Sequence, residues 1–464
     1  METLRTSSYL IPVKLEDEEG KYMLIHGYTG AIDIVSESML KKIQLISAEN
    51  SLDSETVQML LKRGYITTKT QDEEKYLIKI IANTLSQRVN LACKSFTLLV
   101  TYNCNFRCPY CYEQEKTKTI SSLLISERMI DNAFKTISQI ESKNELHEKT
   151  INLFGGEPLL KENKERIKYI INKGKKFGFN FSAITNGYDL DCYADLLAED
   201  AIRSIQITID GSKSVHDLRR KHASEKHSFD KIMNNINIAL KTGITVIIRI
   251  NVDNTNLKEV NVLDDFFKHT NMYSYNNLIV YAAYIGGESN FNPKAYNETI
   301  DLSKNYDDFF NLFKKSDFKI RHNYALYNRI EYAIKNKKEL PLSAYHCNAH
   351  YSTYIFDPFG NIYKCLDTVG QQEQSVGKYT EGILKWNNNE KLWEQRSVNK
   401  IAPCDKCKYA LLCGGGCFAK KLQNSDSICD NFTIILKKVC NEIYSKFKPC
   451  LLYTSDAADE RSSV

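Results

Sequence analysis

The chain has 464 residues, 42% of them apolar and 26% charged, with a formal charge of +5. That length allows two or three domains and a sizeable core. So mild a positive balance, with no block of Lys and Arg interleaved with aromatics, argues against a nucleic-acid groove. No run of about eighteen apolar residues spans a membrane. Met1 opens onto Glu2, Thr3 and Arg5 rather than a signal segment, so the expected place is the cytoplasm, with no membrane partner. In so large a chain, 14 cysteines point to metal or redox work rather than disulfides.

Residues 1–90 contain no cysteine and read as a separate module. Tyr9 to Leu15 and Tyr22 to His26 are expected strands joined by the acidic turn Glu16 to Gly20, and Gly27 and Gly30 allow tight bends. A helix fits Glu55 to Arg63, with Val57, Leu60 and Leu61 on one side, Gly64 as its stop and Tyr65-Ile66-Thr67 as a strand beyond it. Strands, helix, glycine and a further strand suggest a winged-helix arrangement.

Residues 91–290 alternate apolar strands with amphipathic helices. The expected strands are Phe96 to Tyr102, Ile151 to Phe154, Phe179 to Ile184, Ser204 to Ile209, Val246 to Val252 and Leu278 to Ala282. Between the first two, Met129, Ile130, Ala133, Phe134, Ile137 and Ile140 recur at helical spacing. This predicts an α/β fold, a partial (β/α)6 barrel of the TIM type, with its site at the carboxyl ends of the strands.

The first strand runs into a loop that sets Cys104, Cys108 and Cys111 in C-x3-C-x2-C spacing, with Tyr110 before the last. Three thiolates on one loop can hold three corners of a 4Fe-4S cube and leave the fourth iron without a protein ligand. A C-x2-C pair also serves zinc, but zinc sites usually pair two such arms. The spacing resembles the cluster motif of the radical S-adenosylmethionine (radical SAM) enzymes. The resemblance implies that the open iron chelates the amino and carboxylate groups of S-adenosylmethionine. One electron then splits the sulfonium into methionine and a 5'-deoxyadenosyl radical, the electron coming from a flavodoxin- or ferredoxin-type donor.

The same family suggests cofactor contacts further along. Gly155-Gly156-Glu157-Pro158 resembles the glycine-rich motif after the second strand, which implies close approach to the methionine moiety and Glu157 or nearby carbonyls accepting from its ammonium. Thr185-Asn186-Gly187 resembles the turn after the third. The stretch from Gln206 to Arg220 resembles the segment by which the peptide-modifying branch holds the cofactor. It implies a polar contact from Thr208 and a carboxylate partner in Arg220, whose guanidinium fork suits two oxygens. Asp210 and His216 are expected to cap the turn. Arg249 and Asn251 alternate with Ile248, Ile250 and Val252, which puts Asn251 in reach of the ribose; Tyr110 completes the cofactor set.

Residues 291–345 form an expected helical connector, with helices over Tyr306 to Lys315 and Tyr324 to Lys335 and no legible chemistry. Residues 346–449 hold a second cysteine field: Cys347, Cys365, Cys404, Cys407, Cys413, Cys417 and Cys429. Their order resembles the auxiliary-cluster domain called SPASM. That resemblance implies one 4Fe-4S cluster on Cys404, Cys407, Cys413 and Cys429 and another on Cys347, Cys365 and Cys417, three clusters in all. Asn348 to Phe356 supply no fourth cysteine for the second, so its iron is expected to be open. Cys93, Cys192 and Cys440 read as inert core thiols. The tail 450–464 back-translates into a sequencing adapter and is expected to be an assembly artefact.

In front of a radical enzyme, the N-terminal module resembles the recognition domain of enzymes that modify ribosomally made peptides, where the precursor's leader adds a strand to a sheet edge. The expected activity is modification of a ribosomal peptide by a thioether cross-link from a cysteine. An anaerobic sulfatase maturase, which makes formylglycine, is the alternative enzyme; a zinc-stabilised binding protein without catalysis is the alternative of another class.

Overall fold

Short apolar runs at the start of the chain pair into a meander. In the computed structural model, which describes residues 4–46, 52–113, 123–285, 302–313, 319–322, 325–422, 429 and 432–451, the chain opens with β1 (Arg5–Thr6), β2 (Leu10–Lys14), β3 (Lys21–His26) and β4 (Ile32–Ser36). The last three form an antiparallel sheet in that order. Helix α1 (Glu37–Gln44) starts where the Ser36 side chain accepts from Met39 N, and α2 (Ser54–Arg63) starts at Asp53, which accepts from Thr56 N. Gly64 ends α2 at φ +89°, and a Cβ there would press on the His26 ring. β5 (Ile66–Thr67) returns to pair with β1, and Thr70 and Glu73 cap α3 (Gln71–Arg88) reciprocally. Leu10, Leu24, Leu40, Ile43, Leu60 and Tyr65 are packed in its core.

The expected strands and helix of this module are present, and β4, α1 and α3 complete, beside the β1–β5 pair, a pattern of a three-stranded sheet and three main helices among the described residues. Helix α3 is hard to read from sequence because apolar residues stand on both its faces: Ile78 is buried, whereas Tyr76 and Ile80 are 62% and 43% exposed.

The next strands, β6 (Ser95–Thr101), β7 (Thr150–Gly155), β8 (Asn180–Thr185), β9 (Ile202–Thr208), β10 (Thr245–Val252) and β11 (Leu278–Tyr284), pair in parallel in chain order. Helices α4 (Glu127–Ile140), α5 (Lys164–Lys176), α6 (Lys213–Arg219), α7 (Phe229–Lys241) and α8 (Glu259–His269) lie between them. Each strand ends within two residues of its expected bounds. Strand side chains alternate: Val246, Ile248, Ile250 and Val252 are fully buried, while Thr245, Ile247 and Arg249 are partly exposed. After α9 (Leu302–Asn311), β12 (Arg321–His322) adds in parallel beyond β11, and α10 (Ala325–Lys335) follows. The helix expected over 306–315 thus begins and ends earlier, with 314–315 outside the described residues.

The sheet also grows at its other edge. From the cysteine-rich region, β13 (Thr353–Phe356) pairs in parallel with β6, and β14 (Asn361–Tyr363), β15 (Gly377–Lys378) and β16 (Lys385–Trp386) continue antiparallel, making eleven strands. Pairing removes the open edge of β6. At the β13–β14 turn the buried Asp357 carboxylate accepts from Phe359 N at 2.9 Å, Asn361 N at 2.8 Å and the Tyr102 hydroxyl at 3.2 Å. Among the described residues four more α-helices follow: α11 (Asn388–Glu394), α12 (Ala410–Cys413), α13 (Phe418–Leu422) and α14 (Phe432–Leu451).

Contacts divide the chain into two units, one of Met1–Asn90, Tyr324–Cys347 and Gln395–Val464, the other of Leu91–Asn323 and Asn348–Glu394. Of the stretch 346–449, residues 348–394 therefore fall in the barrel's unit. Cys440 is buried as expected, but Cys93 is exposed, because it lies in the loop before β6 rather than in the core. The tail beyond 451 lies outside the described residues, and no helix among those described is long and apolar enough to cross a membrane.

Candidate active site

At the carboxyl ends of β6–β9 a cleft of about 790 Å³ is lined by Cys104, Cys108, Tyr110, Cys111, Gly155, Gly156, Glu157, Thr185, Asn186, Thr208 and Arg220, together with Phe106, Arg107, Tyr112, Glu113, Phe154 and Ile184. Of the residues expected at the radical site, Asn251 alone is outside that lining; its Nδ2 lies 3.4 Å from the Tyr110 hydroxyl.

The cysteine loop is held by backbone. Cys111 N donates to Cys108 O at 3.0 Å, and Phe106 N to the Cys104 sulfur at 3.3 Å. Arg107 N donates to Lys221 O and Ala223 N to Asn105 O, both at 2.7 Å, so the loop is laced to the segment that follows Arg220. The Phe106 and His222 rings meet edge to face at 5.3 Å across that lacing. Burial pushes all three thiols up, Cys111 to about 12. A group carrying positive iron is what would let such thiols ionise, and no disulfide consumes them. Among the described residues no three His, Cys, Asp or Glu side chains crowd onto one single-ion position; the three thiols share a cleft wall instead.

The glycines serve the backbone first. A Cβ on Gly155 would lie 2.2 Å from Thr101 O, and one on Gly156 2.4 Å from Asn103 O, so only glycine lets β7 end against the start of the cysteine loop. Glu157 follows, buried, accepting from Leu159 N at 2.8 Å, the Thr185 hydroxyl at 2.6 Å and Asn186 N at 2.6 Å. Burial pushes its carboxyl up to about 7. With three donors already on it, Glu157 braces the ends of β7 and β8, and Asn186 Nδ2 carries the brace on to Asn105 Oδ1 at 2.7 Å.

Beyond the third cysteine lies a buried polar network that the sequence reading did not foresee. Asp210, expected to cap a turn, instead accepts from the Tyr110 hydroxyl and from Asn251 N at 3.0 Å. Arg219 pairs with Asp253 at 2.7 Å and stands over the Tyr110 ring at 5.3 Å. Arg220 Nη1 donates to the Tyr110 hydroxyl at 2.8 Å, whereas its buried Nε has no hydrogen-bond partner among the described residues. His216 is no cap either: among the described residues both buried ring nitrogens lack a partner, and burial, aided by Arg220, pushes it down to about 3. The cap of α7 is Asp217, which accepts from Ser228 N and Phe229 N. An orphaned guanidinium nitrogen and three free thiols on one cleft fit an iron–sulfur group with a carboxylate-bearing ligand.

None of the later cysteines is among this cleft's lining residues. Cys404, Cys407 and Cys429 are close enough that each of the first two is pushed up by Cys429, after burial. Cys413 ends α12, where Gly414 at φ +74° passes so near Tyr345 O that a Cβ would lie 2.3 Å away. Cys365 belongs to the barrel's unit and donates to Asp367 Oδ2 at 3.4 Å.

Residues 98–267 match the model of the Radical SAM superfamily. A cysteine-type anaerobic sulfatase-maturating enzyme of Clostridium novyi (strain NT) is 27% identical over 376 residues, which are 74% of this chain and 95% of that enzyme. A GTP 3',8-cyclase of Campylobacter fetus subsp. fetus is 31% identical over 172 residues, 36% of this chain and 50% of that one. Among solved structures, anSMEcpe with bound AdoMet and Cp18Cys peptide aligns at a TM-score of 0.56 and 18% identity over 80% of this chain and 99% of that one. SuiB of Streptococcus suis aligns at 0.51 and 13% identity, over 92% of this chain and all of that one, and at these identities both show a shared fold. The superfamily model falls on the barrel that builds the cleft, so residues 98–267 form a radical SAM domain, and the enzymes of that superfamily use a 4Fe-4S cluster and S-adenosylmethionine.

Proposed function

We propose that this enzyme modifies a ribosomally made peptide, joining a cysteine sulfur to a carbon of another residue as a thioether. The observation that carries the reading is the module of three antiparallel strands and three helices ahead of the barrel, a sheet with edges to which a precursor's leader can add a strand. The likeness to SuiB bound to precursor peptide SuiA covers 93% of this chain, against 80% for anSMEcpe, which supports a part beyond a sulfatase-maturase core.

When bound, a 4Fe-4S cluster with S-adenosylmethionine supplies a carbon radical that takes a hydrogen atom from an unactivated C–H bond. Cys104, Cys108 and Cys111 would hold the cluster, with the cofactor in the cleft that they line. Arg220, fixed through Tyr110, would receive the cofactor carboxylate, its Nε having no partner among the described residues. Gly155, Gly156, Thr185, Asn186, Thr208 and Asn251 shape the wall, and Glu157 holds two strand ends in place. The seven later cysteines hold two further clusters, and a flavodoxin- or ferredoxin-type protein delivers the electron.

The test is anaerobic reconstitution with iron and sulfide, a strong reductant, S-adenosylmethionine and two synthetic peptides, one a cysteine-rich candidate precursor and one bearing a sulfatase cysteine site. The expected product is a precursor short of two hydrogens with its sulfur retained, from protein holding about twelve irons per chain. Conversion of the second peptide alone, with sulfur replaced by an aldehyde oxygen, establishes the second reading. That reading, a sulfatase maturase, is favoured by the 27% identity across 95% of the Clostridium novyi enzyme.

A further inference from the structure

The parallel register of the barrel brings together a row of side chains that the cleft does not account for. Across β9 to β12, Thr208 stands beside Arg249, Arg249 beside Tyr281, and Tyr281 beside Arg321. The alternate residues Ile207, Ile248, Ile250 and Val280 are buried against the helices, so the row faces the barrel's interior. It continues the cleft, because Thr208 also lines that. The matching interior positions of neighbouring strands are Asn152, Ser182, Ser204, Gln206, Ile247 and Ile279, with no acidic residue among them. The register therefore sets two arginines on one face of the sheet, Arg249 half-buried and Arg321 exposed, with no counter-charge among the described residues.

Neutral groups occupy part of the hydrogen-bonding capacity. Arg249 Nε donates to Asn251 Oδ1 at 2.8 Å, and the Tyr281 hydroxyl donates to Gln206 Oε1 at 2.8 Å. Among the described residues neither Arg249 nor Arg321 has an ion-pair partner. A half-buried guanidinium fork held by an amide and beside a phenol is arranged for two oxygens of a ligand carboxylate.

We propose that Arg249, backed by Arg321, receives an acidic side chain, Asp or Glu, of the peptide substrate beside the residue that is modified. This deepens the peptide-modifying reading above and rests on it. Thr208, one strand over from Arg249, puts the carboxylate next to the cleft where the cofactor reacts, so the contact sets which residue is presented.

The experiment measures fluorescence anisotropy of two labelled, C-terminally amidated, cysteine-containing peptide pools on the anaerobically reconstituted full chain. The pools are identical except that Asp and Glu in one are Asn and Gln in the other. The acidic pool is expected to bind about tenfold more tightly, a preference that Arg249→Gln abolishes, Arg321→Gln weakens about threefold and Arg249→Lys partly keeps. Lys168→Gln, which removes the same charge from the surface of α5, leaves it intact. S-adenosylmethionine binding by calorimetry stays within about twofold in every variant. Equal binding of the two pools by the unaltered chain overturns the proposal. So does loss of S-adenosylmethionine binding in Arg249→Gln with the preference kept, because the arginine then serves the cofactor. If the pools bind equally and a cysteine peptide is still converted, only this inference falls; if neither pool binds nor stimulates cofactor cleavage, the peptide-modifying reading falls with it.

Discussion

Two buried polar networks in this chain end in opposite ways. In the N-terminal module, the Glu74 carboxylate accepts from Arg5 at 2.6 Å, Ser8 N at 3.0 Å, Tyr28 at 3.2 Å and Ser7, and Ser7 Oγ lies 3.0 Å from His26 Nε2. The other ring nitrogen of His26 meets the Thr29 hydroxyl at 3.0 Å, so the network closes on itself. In the barrel, the network from Asp210 through Tyr110 to Arg220 stops at an Nε that no described residue satisfies. A closed network clamps a fold; an open one beside a cleft keeps capacity for a ligand.

Breaking the closed network has the largest expected effect on stability. Glu74→Ala strands the donors of Arg5, Ser7, Ser8 and Tyr28 and should cost about 3–5 kcal/mol. Hydrogen exchange of β2–β4 reads this, and cofactor cleavage without peptide should persist; an unchanged exchange rate would show that the network is not a clamp. The same network predicts a pH response. Burial pushes His26 down to about 4, so on acidification the unfolded chain takes up the proton first. The stability from its neutral ring is full above about pH 6.5 and is lost as pH falls to about 4, at most about 3 kcal/mol. Melting midpoints across that window should fall in the unaltered chain and flatten in His26→Gln; parallel curves would remove His26 from the account.

The open network should respond in the reverse sense. Arg220→Met removes a buried guanidinium with an unpartnered nitrogen, so the melting midpoint should hold or rise while S-adenosylmethionine binding weakens about tenfold. Calorimetry and thermal melts on the same sample check both halves. A loss of stability as large as that of Glu74→Ala would erase the contrast between the two networks.

What could be read without a structure was what is local in the chain. The spacing of Cys104, Cys108 and Cys111 lies within a single loop, the strand and helix periodicities of the barrel lie within single elements, and Gly64 stops α2 where it stands. Three-dimensional packing decided whatever joins distant residues. Asp357 reaches Tyr102 across 255 positions and helps bind a hairpin of the cysteine-rich region to the first barrel strand, a choice that no local pattern encodes. Asp210 became a hub rather than a cap because Tyr110 arrives beside it from 100 residues earlier. Glu157, which lines the cleft, also gained the role of a brace because three donors converge on it. Arg249 and Arg321 became neighbours of Tyr281 by strand register alone. Residue type and spacing express which chemistry a loop can do; which side chains keep an unsatisfied atom for a ligand depends on every neighbour that packing brings, and that is a property of the folded chain.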